Sequence, residues 1–242
     1  MPEWFLKLQR DFVVAFIEDN RWKYLTEGVG NTIILTFFAL ILGVVLGVVI
    51  AAIRTTYDKQ YSEMRNPLAK IFLSIGNAVC KIYLTVIRGT PAMVQILIIF
   101  FIIMASSDNK MLCGIIAFGI NSGAYVAEII RGGIMSIDVG QTEAGRSLGF
   151  NYARTMWYIV LPQTFKNILP ALANEFIVLL KETAIAGYVG VTDLTRGANI
   201  IRGITYQSFW PLLAIAAIYL IMVMFFTKLV DILERRLRKS ER

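Results

Sequence analysis

Histidine is absent from this chain of 242 residues, and cysteine occurs only as Cys80 and Cys113. The first absence removes the commonest metal ligand and the usual general base at neutral pH. The two cysteines stand far apart without CxxC spacing, so neither a zinc site nor a disulfide framework is expected. The sequence also lacks a GxSxG nucleophile elbow and a GxxxxGK[ST] phosphate loop. The chain therefore reads as a non-enzyme that binds no metal or cofactor and does not itself hydrolyse ATP. Acidic residues are few, 17 against 24 basic ones. No basic run is interleaved with aromatics for base stacking, so nucleic acid is not an expected partner. The N-terminus shows no signal-peptide pattern.

What is abundant is apolar. Hydrophobic residues make up 57% of the chain, gathered into long uncharged runs. That is the pattern of an all-α integral membrane protein. Residues 32–53 carry no charge and are long enough to cross a bilayer, with Asn31-Thr32 as a possible cap. Further spans are expected at 92–106, 111–127, 164–180 and 203–227. Residues 67–87 read as a helix that begins in the interface or packs among the others. Residues 54–70 read as a loop, and 181–202 as an external loop or partly re-entrant segment. Gly43 and Gly47 form a GxxxG ridge for close helix approach, within one chain or between two. Five spans put the termini on opposite sides. Basic residues in the 54–70 loop and the tail place the C-terminus in the cytoplasm and the N-terminus outside.

The first 20 residues are too charged to span. Trp4, Phe5, Leu8, Phe12 and Phe16 recur at helical spacing, giving an amphipathic helix that lies on membrane lipid or on the protein's own flank. Three segments follow: an interfacial arm over 1–27, a transmembrane domain over 28–230, and a basic tail over 231–242.

The longest polar stretch between apolar runs is 138–162. Asp138 and Gln141 have capping-box spacing, which predicts about two helical turns over 142–148. Gly149 stands where a left-handed helix stop favours glycine. The stretch resembles the EAA loop of ABC-transporter permeases. It is carried by Glu143, Ala144, Gly145, Gly149, Ile159, Leu161 and Pro162, with Gly145 replacing the family's second alanine. Taken alone, that glycine should loosen the short helix. Two further stretches, RGTPAMVQ from Arg88 to Gln95 and SGAYVAEIIRGG from Ser122 to Gly133, resemble elements of polar amino-acid permeases.

The resemblance covers nearly the whole chain and implies a type I ABC importer transmembrane domain. It also implies a bacterial plasma-membrane location and a separate ATPase subunit that uses the ATP and receives the EAA helix. A second permease chain, identical or not, and an extracytoplasmic binding protein that delivers the amino acid complete the implied set.

Polar residues within spans are costly, so they are candidates for a substrate path. Gln95, Asn121, Tyr125, Asn174 and Glu175 are named on this ground. Asn121, Tyr125 and Glu128 share one helix face, as do Asn167, Asn174 and Lys181. The opposing reading is that the amides join helices and Glu128 neutralises Arg131. A stand-alone secondary transporter or channel is the alternative function, although the halves show no internal repeat.

Overall fold

The computed structural model describes residues 3–239 and contains, among them, helices and turns but no strand. Ten α-helices follow in order: α1 Glu3–Phe12, α2 Trp22–Gln60, α3 Pro67–Gly89, α4 Ala92–Ile98, α5 Lys110–Met135, α6 Val139–Ser147, α7 Tyr152–Thr155, α8 Leu161–Glu182, α9 Leu194–Thr205 and α10 Phe209–Lys239. Met1, Pro2 and the last three residues of the tail lie outside the described residues.

Among the described residues four helices are long and apolar enough to cross a membrane, α2, α3, α5 and α10, while the apolar helix at Ala92–Ile103 is shorter. This differs from the expected set in three places, the first being the span expected at 92–106, whose helix is too short by this measure. The apolar residues of α3 outweigh Lys70 and Lys81, so residues 67–87 are a candidate span and not merely an interfacial helix. By contrast, α8 carries Lys166, Asn167, Asn174, Glu175, Lys181 and Glu182, which dilute its hydropathy below that of a simple span. Helix α2 runs 39 residues, about 58 Å at the helical rise, well past both ends of its uncharged core. Arg54–Gln60 are therefore helical, and the expected loop is reduced to residues 61–66. Asn31 and Thr32 fall inside α2 and do not cap it. Instead Asn31 donates to the Thr192 carbonyl at 2.7 Å and Thr32 accepts from the Leu194 amide at 3.1 Å.

The chain forms two compact units. One comprises the described residues up to Ala39 together with Ile96–Phe118 and Phe176–Leu229. Its core gathers Phe16, Leu25, Leu180, Leu194, Ile201 and Met222. Residues 181–202, expected as an external loop or partly re-entrant segment, are here mainly helical: a 3-10 segment at Thr183–Val189 and then α9. The long-range packing of Leu194, Ala198 and Ile201 stabilises α9, which a weak local pattern did not announce. The arm α1 packs on the start of α10, where the Trp210 indole donates to the Leu8 carbonyl at 3.1 Å and Gln207 donates to Asp11 at 3.1 Å. Trp4, Phe5 and Leu6 remain exposed, so the own-flank reading holds for one side of this helix.

Asp193 caps α9 by accepting from the Arg196 amide at 2.8 Å. It is fully buried, and its Oδ2 has no hydrogen-bond partner among the described residues. Burial pushes its carboxyl up from 3.8 to about 6, against the opposing pull of the backbone amides. A folded carboxyl that keeps its proton to higher pH than the unfolded one favours folding below about pH 4, and that contribution is lost as pH rises through about 6. Asp193→Asn retains a good cap and removes the titration. Thermal unfolding of the purified protein between pH 4 and 7 should lose part of its downward slope in this variant, and an unchanged slope would refute the assignment.

The second unit comprises Leu40–Gln95, Gly119–Glu175 and the described residues from Val230 onward. Here α2 and α5 pack through small residues. A methyl at Gly47 would stand 2.5 Å from Val126, and one at Gly43 would stand 3.1 Å from Ser122. The GxxxG ridge therefore serves contact within the chain. Ala51, Val126, Ile130, Val160 and Ile168 form the adjoining core.

Candidate functional site

Helix α6 is a short element closed at both ends. Asp138 is its N-cap and accepts from the Gly140 amide at 2.7 Å. The expected capping box is only half made, because Gln141 turns away and accepts from Gln163 at 3.2 Å. At the other end Gly149 takes a left-handed φ of 81°. The Phe150 amide donates to the Gly145 carbonyl at 3.0 Å and the Gly149 amide to the Arg146 carbonyl at 2.9 Å. These two bonds make a complete Schellman closure. The helix begins three residues earlier than 142, since the aspartate cap sets its start at Val139.

Gly145 is the buried residue of α6. A methyl there would lie 2.9 Å from both Ile159 Cδ1 and Thr155 Cγ2. The substitution read from sequence as a loosening is thus a seat: it lets α6 rest on the helical segment around Thr155 and Ile159. Two of the singled-out positions, Gly145 and Ile159, meet directly. Glu143, Ala144, Gly149 and Pro162 are exposed, and Leu161 is half-buried. Val139 and Leu148 are also exposed, at 70% and 74%, unusual for apolar side chains on so polar a stretch. Arg146 pairs with Glu63 at 3.6 Å. A cavity of about 270 Å³ lies beside the helix, lined in part by Lys59, Glu63, Thr142, Arg146 and Tyr152. Burial raises the Tyr152 phenol above its ordinary range, which keeps it a neutral donor at physiological pH.

The second group of polar residues lies along α5. Gln95 and Asn121 meet, the Asn121 amide donating to Gln95 Oε1 at 2.8 Å. The Gln95 amide in turn donates to the carbonyls of Ile87 and Thr90, at 2.7 and 3.0 Å, bridging the break at Pro91. Such carbonyls are freed where proline interrupts a helix, and Gln95 takes them up. The Ser122 hydroxyl donates to Glu175 Oε1 at 2.8 Å, both residues being buried. Tyr125 stacks under the Arg88 guanidinium, 5.8 Å from its ring centre. Glu128 binds Arg131 at 3.1 Å, as its spacing suggested, and also approaches Arg88 at 3.9 Å. Arg131 reaches Asp58 at 3.9 Å.

Of the five candidate path residues, Gln95, Asn121 and Glu175 are therefore buried and bonded to polar partners. Tyr125 is 39% exposed, and Asn174 is exposed together with Asn167 and Lys181 on α8. Asn174 and Glu175 point apart because successive helical residues are turned by about 100°. Sequence reasoning did not single out Arg88 or Ser122 for this group. Arg88 was visible only as part of the RGTP stretch, and Ser122 only as the first residue of the stretch that runs to Gly133.

Several bilayer-length helices, a short polar helix closed at both ends and a group of buried polar side chains among apolar helices suit a membrane transport component. Residues 68–239 match the family of binding-protein-dependent transport system inner membrane components. The chain belongs to that family and is a multi-pass membrane permease subunit of an ABC importer. It is 38% identical over 169 residues to the glutamine transport system permease protein GlnP of Escherichia coli, covering 68% of this chain and 77% of that one. It is 32% identical over 221 residues to the arginine transport system permease protein ArtQ of Bacillus subtilis, covering 90% and 94%. The crystal structure of an amino acid ABC transporter with histidines superposes with a TM-score of 0.77 at 43% identity, covering 88% of this chain and 94% of that one.

Proposed function

We propose that this permease carries a polar amino acid across the bacterial plasma membrane, driven by a separate ATPase that docks on α6. An extracytoplasmic binding protein delivers the amino acid, and a second permease chain, identical or not, completes the pore. ATP is bound and used by the partner. The observation that carries this reading is the closed form of α6. A helix capped by Asp138, ended at Gly149 and seated through Gly145 moves as one piece, whereas a slack loop would absorb the displacement. Glu143, Ala144, Gly145, Gly149, Ile159, Leu161 and Pro162 make up this coupling element. The assembly should accumulate an amino acid in proteoliposomes only when ATP, the ATPase and the binding protein are all supplied. Accumulation by the permease alone would favour the secondary-transporter reading.

In this reading residues 1–27 form the interfacial arm, 28–230 the transmembrane domain with five crossings, and 231–242 the cytoplasmic tail. Orientation follows from the basic residues Arg54, Lys59, Arg65 and Lys70 in and around the 61–66 loop, and from those of the tail. With Arg236→Cys in a cysteine-free background, a membrane-impermeant maleimide should label the protein in inverted vesicles and fail in intact cells. Labelling from outside intact cells would reverse the orientation.

The path is proposed to follow Gln95, Asn121, Tyr125, Asn174 and Glu175. Glu175→Gln keeps an acceptor for Ser122 and removes a buried charge. We expect uptake to slow at least tenfold or its amino-acid preference to change, with assembly intact. Normal transport by a poorly assembled fraction would make the residue structural.

A further inference from the structure

A cavity of about 380 Å³ is lined by Arg54, Lys81, Leu84, Thr85, Arg88 and Glu128. Three of its six lining side chains are cationic and one is acidic. That acid is already engaged: both Arg131 and Arg88 contact Glu128 through Oε2. Asp58 is drawn to Arg131. With Arg131 counted beside the cavity, four cations thus stand against two carboxylates, and the cluster carries an excess of positive charge. The Nε atoms of Arg54 and Arg131 are buried and have no hydrogen-bond partner among the described residues. A guanidinium nitrogen left in that state lacks an acceptor.

We propose that this cavity is a binding site for an amino acid with an acidic side chain, such as glutamate or aspartate. The inference rests on the reading of the chain as an amino-acid permease and names the substrate class within it. Arg88 takes one carboxylate of the ligand as a guanidinium fork, the geometry that suits this planar anion. Lys81 and the terminal nitrogens of Arg54 take the other. Glu128 Oε1, which takes part in neither ion pair, accepts from the ligand's ammonium. A ligand with two carboxylates and one ammonium offsets the excess positive charge. A neutral amino acid leaves part of it unmatched, and a basic one adds to it.

The test is equilibrium binding of labelled glutamate to the permease–ATPase complex in phosphatidylcholine nanodiscs, with ATP-dependent uptake measured on the same purified complex reconstituted into proteoliposomes together with the binding protein. Unlabelled aspartate should displace the label, and glutamine or arginine should need at least tenfold higher concentration. Arg88→Gln and Lys81→Gln should each weaken glutamate binding tenfold or more while the ATPase still co-purifies, and Lys166→Gln on α8 should change neither. Equal or tighter binding of glutamine or arginine, with uptake intact, overturns the acidic ligand and leaves the importer standing. Glutamate binding that phosphatidylglycerol abolishes assigns the cavity to a lipid headgroup and overturns it as well. Absence of ATP-dependent uptake for every amino acid would sink both readings.

Discussion

Gly145→Val leaves the permease inserted and folded, reduces ATPase co-purification at least tenfold, and uncouples the remaining hydrolysis from transport. A single methyl at this position meets Ile159 and Thr155 at 2.9 Å. Valine adds two branches in the same direction and is stiff about its first torsion. Neither neighbour can withdraw freely, because Thr155 is itself buried and Ile159 belongs to the same packed segment. The helix must therefore tilt off its seat. Gly149→Ala provides the contrasting case. Nothing stands within 4 Å of a methyl there, and only the left-handed φ opposes it, a cost of about 1–2 kcal/mol. Gly149→Ala should weaken ATPase attachment less than Gly145→Val does. Affinity co-purification and amino-acid-stimulated hydrolysis measure both effects, and wild-type values for Gly145→Val would mean that the seat does not matter.

Gly47→Leu has the other large effect, on folding. Its added Cβ would stand 2.5 Å from Val126 Cγ1 and 2.9 Å from the Ala127 amide nitrogen. Backbone cannot retreat as a side-chain tip can, so α2 and α5 must separate at this point. Val126 and Ala127 are almost wholly buried, and their packing is lost with the contact. Overpacking of this kind typically costs about 1–3 kcal/mol and more where backbone is struck. Detergent-solubilised Gly47→Leu should show a Tm lowered by several degrees or fail to accumulate in membranes. Gly30→Leu adds the same bulk to α2 where a Cβ meets nothing within 4 Å, and should be tolerated. Equal stability of the two variants would show that the ridge bears no close contact.

Local chemistry made α6 readable from the sequence: an acidic cap, a glycine stop and a polar stretch between apolar runs. The same local view misjudged Gly145, because the need for a missing side chain arises from residues ten and fourteen positions away. It also shortened α2 and missed α9. Hydropathy marks where a helix is apolar, not where its backbone hydrogen bonds end, and α9 depends on burial against distant residues. Of the polar residues in apolar runs, Glu128 and Arg131 were paired correctly from their spacing on one helix face. The Gln95–Asn121 and Ser122–Glu175 bonds join positions 26 and 53 apart, which no periodicity reports. Asn174 and Glu175 were both named because they are polar within a span, and helical rotation turns them apart.

The central claim is that this chain transmits the work of a separate ATPase through α6. Its most direct test is ATP hydrolysis by the reconstituted permease–ATPase assembly, with and without the loaded binding protein, in wild type and Gly145→Val. The wild-type assembly should hydrolyse ATP several-fold faster when the loaded binding protein is present, and the variant should lose that stimulation. Equal stimulation in both, with normal uptake, would contradict the claim.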